Sequence, residues 1–342
     1  MSTQRRPHAE TQPEDSDEPL TSLPAQAEAP ATTPPIRRSA LPVAAQFPLV
    51  TLLSFVMASL GYSLLAEVTK GDLAAVSRSQ DTWQEVALLA GWRVTELALA
   101  WFGKLDSLDV ALLNLLSHGP HFYLLSNFYE IGTLTVLSAL FIDIVSAAVP
   151  FYLLRPLSAV HTPSAAAKLP NRELLDVATQ LYTAALSVGI YEVILVLSSR
   201  YLLPQVLVLY FYNVRTLDPA YAASWVGVLP VTVMFGVTAS TFIFAPFATT
   251  GHVTEDDKNA AFNPVEASLG ETVWWNVWGY TAKTKVVIRR TAVVMLVSAV
   301  STYLSSTQTL YRVDSVGAAV YAGVWAFAAL LTGVGLGFVG SV

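Results

Sequence analysis

The chain has 342 residues, 54% of them hydrophobic and 13% charged, where a soluble domain carries about 25% charge. With a mean hydropathy of +0.51, a net charge of −6 and few basic residues, all beside apolar blocks, it offers no nucleic-acid-binding surface. It contains no cysteine, which excludes disulfides, thiolate metal sites and cysteine nucleophiles.

Residues 1–45 are rich in proline, alanine, threonine and acid, as in "PEDSDEPLTSLPAQAEAPATTPP". Such a segment buries too little apolar surface to offset its chain entropy, so a disordered cytosolic tail is expected. It has no apolar core of a signal peptide, and its acids (Glu10, Glu14, Asp15) oppose a mitochondrial presequence.

From residue 46 onward the sequence predicts an all-α, polytopic integral membrane helix bundle. About 20 apolar residues cover the hydrocarbon. Six blocks meet or approach that length: 47–66, 131–154, 177–198, 224–247, 286–304 and 316–340. Between the first two lies 67–130, expected as an outer amphipathic segment. Within it, "WQEVALLAGWRVTELALAWF" (83–102) carries Glu85, Arg93 and Glu96, which fall within about 80° on a helical wheel. Three mid-helix charges cost roughly 7 kcal/mol on an insertion scale, and the apolar residues return roughly 4. The segment is therefore read as lying on the membrane or against the bundle, although an Arg93–Glu96 pair would admit it as a seventh span.

Six spans with both termini cytosolic place Arg155, Lys168, Arg172, Lys258, Lys283, Lys285, Arg289 and Arg290 inside, with Arg37 and Arg38 of the tail. Arg200, Arg215 and Arg312 stay outside, as the positive-inside rule requires. Counting 83–102 as a seventh span moves both basic loops, 155–176 and 248–290, outside and reverses that bias.

Several residues invite a chemical reading. Asp143 and Glu192 interrupt apolar spans, where a lone carboxylate is costly. They form a candidate intramembrane polar site, for a proton or cation relay or for a structural hydrogen bond to a neighbour such as Tyr182 or Tyr191. "GETVWWNVWGYTAKTKVVIRR" (270–290) predicts a short interfacial helix leading into a span. Trp274, Trp275 and Trp278 suit the headgroup region, and Lys283, Lys285, Arg289 and Arg290 suit lipid phosphates. Ala329, Gly333 and Gly337 recur every fourth residue and let another helix approach closely, within the bundle or in a homodimer. His118, His121 and Glu130 have the composition of a metal site, but the Gly119–Pro120 step is expected to break the helix between the histidines. No nucleotide-binding, hydrolase or zinc-protease signature is present, so no catalytic residue, cofactor or metal is assigned.

The run from "ELLDVATQLYTAALSVGIYEVILVLSSRYLLPQVLVLYF" to "FNPVEASLGETVWWNVWGYTAKTKVVIRRTAVVML" resembles a group of fungal multi-pass membrane proteins of uncharacterised role. The resemblance covers the C-terminal half and implies an endomembrane protein without implying site residues; with no presequence read in the tail, the first span is expected to act as a signal anchor into the endoplasmic reticulum. The functional expectation is a non-enzymatic membrane protein that organises or assembles partners. The alternative is a small-solute or ion/proton-coupled transporter using Asp143 and Glu192. The expected partners are the lipid bilayer and other membrane proteins or a second copy, not nucleic acid.

Overall fold

A computed structural model describes residues 42–341 other than 252, 264 and 266. The expected tail lies outside the described residues up to 41, and its last positions already belong to helix α1, Val43–Val68. In chain order follow α2 (Trp83–Phe102), α3 (Ser107–Phe128), α4 (Thr133–Leu154), α5 (Val177–Tyr210), α6 (Trp225–Phe244), α7 (Leu269–Trp278), α8 (Ala282–Leu304) and α9 (Ser315–Ser341). Helix α5 passes through a π-helical turn at Ser198–Leu202, and α8 ends in another at Ser305–Thr309. No strand occurs among the described residues; two isolated bridges, Ser77–Leu310 and Phe211–Val313, tie loops together.

Six helices are long and apolar enough to cross a membrane: α1, α4, α5, α6, α8 and α9. These correspond to the six expected blocks. The chain is thus a multi-pass integral membrane protein in contact with the lipid bilayer. The departures are α5, which runs on to Tyr210 rather than ending at 198, and α8, which begins at Ala282 rather than 286, where Thr281 caps it by accepting from the Thr284 N–H.

Residues 67–130, expected as an outer amphipathic segment, pack against the six long helices. They fold into the hairpin of α2 and α3, with α3 packed between α4, α6 and α8. Thr82 and Glu85 close a capping box at the start of α2. Asp106 caps α3 by accepting from the Asp109 N–H at 2.8 Å. Between the two helices, Lys104 takes a left-handed φ of 57°, so the turn is short and the helices run antiparallel. Helix α3 continues through Gly119–Pro120, so the expected helix break is absent. Phe235 packs so closely on Gly119 that a side chain there would collide with its ring.

Hydrogen bonds fix which ends lie together. At one end, Arg78 N–H donates to Thr309 O at 2.8 Å and Arg215 N–H to Phe128 O at 2.9 Å. At the other, Arg155 donates to Leu105 O and Trp101 O, both at 2.9 Å, and Arg290 pairs with Asp109. The hairpin therefore runs the full height of the bundle. Its turn lies with the basic residues 155–172 and 283–290, at what is called here the basic end.

Candidate functional site

The polar side chains of α2 turn inward and meet those of four other helices. Arg93 donates to Asn114 Oδ1 and Ser146 Oγ, both at 3.0 Å, and to the Asp143 carbonyl at 3.3 Å. It also lies 3.6 Å from Glu96 Oε2. Glu96, almost fully buried, accepts from the Trp92 indole at 3.1 Å and from the Ser301 hydroxyl, with His118 Nε2 at 3.9 Å. Each charge in this network thus has an opposite charge or several hydrogen bonds, the condition under which burial is tolerated. Glu85, the third residue of the expected polar stripe, belongs instead to the capping box and pairs with Arg78. That leaves one internally compensated pair in mid-helix rather than three charges.

Asp143 sits at the edge of this network. Its carboxylate accepts from the Tyr62 hydroxyl of α1 at 3.0 Å. Glu192, buried on α5, accepts from the Thr232 hydroxyl of α6, while its Oε1 has no hydrogen-bond partner. The two acids are held by different helix pairs. Neither expected tyrosine partners them: Tyr182 is exposed, and Tyr191 packs on Phe235 at 5.9 Å. Helical period alone does not fix which neighbour faces a given position, and that is why the partners were missed.

A second cluster closes the basic end. His161 Nδ1 lies 2.6 Å from Asp106 Oδ2, and the Ser158 N–H donates to the same oxygen at 2.8 Å. Asp109 takes Arg290 in a two-pronged pair at 2.7 and 2.9 Å. The guanidinium also lies over the Phe242 ring, 4.6 Å from its centroid. Burial works to raise Asp106, but the hydrogen bonds from His161, the Asp109 N–H and the Ser158 N–H outweigh it and hold the carboxyl well below the usual range. The hydrogen bond to Asp106 raises His161 in return. Asp106, Asp109 and His161 offer oxygen and nitrogen atoms within 4.8 Å of one another, the composition of a metal site. The Arg290 guanidinium on both oxygens of Asp109 opposes a cation there, so the geometry is that of a salt-bridged clasp. The one sequence signal for it was the Asp-x-x-Asp spacing just ahead of the apolar run 110–116.

His118 pairs with Glu96 and with Ser117 Oγ at 2.9 Å. His121 packs edge-on against Phe122, and Glu130 is exposed beyond the end of α3. The structure does not gather these three. His252 lies outside the described residues.

The interior toward the opposite end is filled by aromatic rings. Trp325 lies 4.6 Å from Phe235 and 5.6 Å from Tyr123, with Tyr321 and Phe211 behind it. Ala329 is buried, and Gly333 and Gly337 of α9 face α8: a side chain at Gly333 would collide with Thr291, and one at Gly337 would touch Val287. Helix α7 has no buried residue: Leu269, Val273, Trp274 and Val277 are exposed. Of the basic residues expected beside it, Arg290 turns to Asp109, and Lys285 is buried with its ammonium 5.9 Å from the Trp278 ring. Lys283 is half-buried and Arg289 exposed. Cavities of about 340 to 540 Å³ lie beside α7, beneath His161, on the α5 face and between α8 and α9. None of these four is lined by Asp143 or Glu192.

Compared with known proteins, the chain matches no family model, no curated protein and no solved structure.

Proposed function

We propose that this protein is a non-enzymatic component that organises partner proteins within an endomembrane. The observation that carries the reading is the filled interior. The Trp325–Phe235–Tyr123 packing fills space between α3, α6 and α9. Arg93 and Glu96 compensate each other, and Asp143 is held by Tyr62. The apolar grooves on the α5 and α8–α9 faces are lined in part by exposed side chains, among them Val193, Leu331 and Phe338, which suit another membrane-embedded element.

The same reading makes α2 and α3 a re-crossing hairpin. Two added crossings keep the parity of six, so both termini stay cytosolic. The hairpin turn adds Lys104 to the cytosolic side, while Lys70 and Arg78 join the other, and the positive-inside bias survives.

One observation favours proton- or cation-coupled transport instead: the buried Glu192 Oε1 without a hydrogen-bond partner, since such an atom is costly unless it is used. The two readings separate in one experiment. The protein is purified from its native membrane in mild detergent, then reconstituted alone into sealed vesicles. The organising reading expects defined, stoichiometric co-purifying proteins and vesicles that hold an imposed proton or sodium gradient. A gradient dissipated by wild type and held by Glu192→Gln would overturn it in favour of transport.

A further inference from the structure

The cavity beneath His161, about 340 Å³ in volume, lies where α5 and α6 part at the basic end. Farther into the bundle, Gly236 of α6 packs so closely on the backbone of Val188 that a side chain there would collide. These two helices run antiparallel, so one turn toward the basic end the same register sets Ala184 opposite Ser240. Two small side chains leave a gap there, and the loop after α4 covers it with Val160, His161 and Leu174. The Gly236–Val188 contact closes the floor. Gln180 and Val237, both exposed, form the rim.

The polar groups of this cavity are unequally served. Thr183 donates to Thr179 O at 2.9 Å and Thr241 to Val237 O at 2.8 Å, so each presents only lone pairs. Ser240 is 4% exposed and lines the cavity. It makes no hydrogen bond among the described residues, which leaves a buried hydroxyl with a proton to give. His161 spends Nδ1 on Asp106 and Ser158. The Asp106 carboxylate can only accept, so Nδ1 carries a proton and Nε2 is left for a ligand. Charge then selects the ligand's sign. Asp106 and Asp109 are matched by Arg155, beside Asp106, and by Arg290 on Asp109. A protonated His161 is the surplus charge, and its hydrogen bond to Asp106 favours that form. Helices α5 and α6 bring no titratable group to the cavity among the described residues. A monoanion completes the balance; the second charge of a phosphate monoester would exceed it, and a cation would face the imidazolium.

We infer that this cavity binds the carboxyl group of a fatty acid, one oxygen on His161 Nε2 and the other on the Ser240 hydroxyl, with the acyl chain leaving past Ala184 and Val237 into the lipid. The basic end is the membrane surface of the bundle, the depth at which a fatty acid in a bilayer carries its carboxyl group. The exposed Val237 gives the chain an apolar way out.

The test uses the full chain in phosphatidylcholine nanodiscs with a hexadecanoic acid that carries a diazirine at mid-chain. After photolysis the labelled residues are mapped by mass spectrometry. Label is expected on 175–184 and 237–245, and excess hexadecanoate should remove it. Hexadecanol and hexadecyltrimethylammonium should compete at least about tenfold less well, because neither offers two acceptor oxygens and a negative charge. Acetate should not compete, because it has no chain to hold it at the membrane. Ser240→Ala should weaken binding about tenfold, the usual loss of one hydrogen bond to a charged group, and His161→Gln by at least as much. Label confined to other segments, equal competition by the alcohol or the ammonium, or an affinity unchanged in Ser240→Ala overturns the inference. So does competition by acetate at the same concentration as hexadecanoate, which would assign the site to soluble carboxylates. If the His161→Gln chain does not fold, Ser240→Ala decides alone, since it removes a hydroxyl that no described protein group uses.

Discussion

Helices α1 and α3 have similar lengths and opposite surroundings. Three of the 26 residues of α1 are buried in the protein, against 13 of the 22 in α3. Yet α1 is among the six helices apolar enough to be recognised as a span, and α3 is not. In water the more buried helix would be the more apolar one. In a bilayer the helix facing lipid must be apolar throughout, while one enclosed by other helices can carry Asn114, Ser117 and His118 if each is paired. Hydropathy along this chain therefore reports contact with lipid rather than depth in the fold.

The largest effect expected from that contrast comes from uncoupling the polar network around α3. Arg93→Leu leaves Glu96 without its cation and Asn114 without its donor. It should cost about 3–5 kcal/mol, the usual loss when a buried pair is broken, read as a fall in the folded fraction during denaturant titration in detergent. An unchanged midpoint would mean that the α2 face is solvated.

Asp143 lies at the seam between the two regions, since its partner Tyr62 belongs to α1. Asp143→Leu strands that hydroxyl and should cost about 1–3 kcal/mol. Asp143→Asn keeps an acceptor and should cost less. Equal losses for both would mean that the hydrogen bond contributes nothing.

A smaller effect is expected from pH at the cap of α3. His161 is raised above 6.5 by Asp106. Its contribution is complete below the unfolded value and fades as pH rises through the folded one. Asp106 is depressed, so its contribution holds above its unfolded value and is lost only in strong acid. The melting temperature should thus fall as pH is raised from 6 to 9, and His161→Gln should flatten that slope. A slope that persists in the variant would assign it to other groups.

The smallest effect belongs to α1. Leu60, exposed toward lipid, should tolerate alanine within about 0.5 kcal/mol. A loss of core size would mean that a partner covers α1 in the purified state.

These regions also differ in how much the sequence disclosed. The six apolar helices were legible because lipid contact imposes uninterrupted runs on them. The Glu85–Arg93–Glu96 stripe was legible as a stripe, but its charges could be weighed only as separate costs until the capping box and Asn114, His118 and Ser301 were seen around it. Helix α3 was missed because Gly119–Pro120 reads as a breaker; here the ring of Phe235 fills the space at Gly119 and the helix continues. Asp143 and Glu192 were visible as intramembrane acids, but their separation onto different helix pairs depends on packing that no local pattern encodes. Trp274 and its neighbours stood out, whereas the inward turn of Arg290 to Asp109 joins residues 181 positions apart.

The hairpin is the element on which the arrangement turns, and the chain's lack of cysteine makes it directly testable. Single cysteines at Asp81, Lys104, Lys168 and Arg312, all exposed, are to be labelled with a membrane-impermeant maleimide in sealed, oriented vesicles. If α2 and α3 cross the membrane, Lys104→Cys reacts from the same side as Lys168→Cys, and Asp81→Cys reacts with Arg312→Cys from the other. Labelling of Lys104→Cys from the side of Asp81→Cys would contradict the account, returning residues 67–130 to a single face of the membrane.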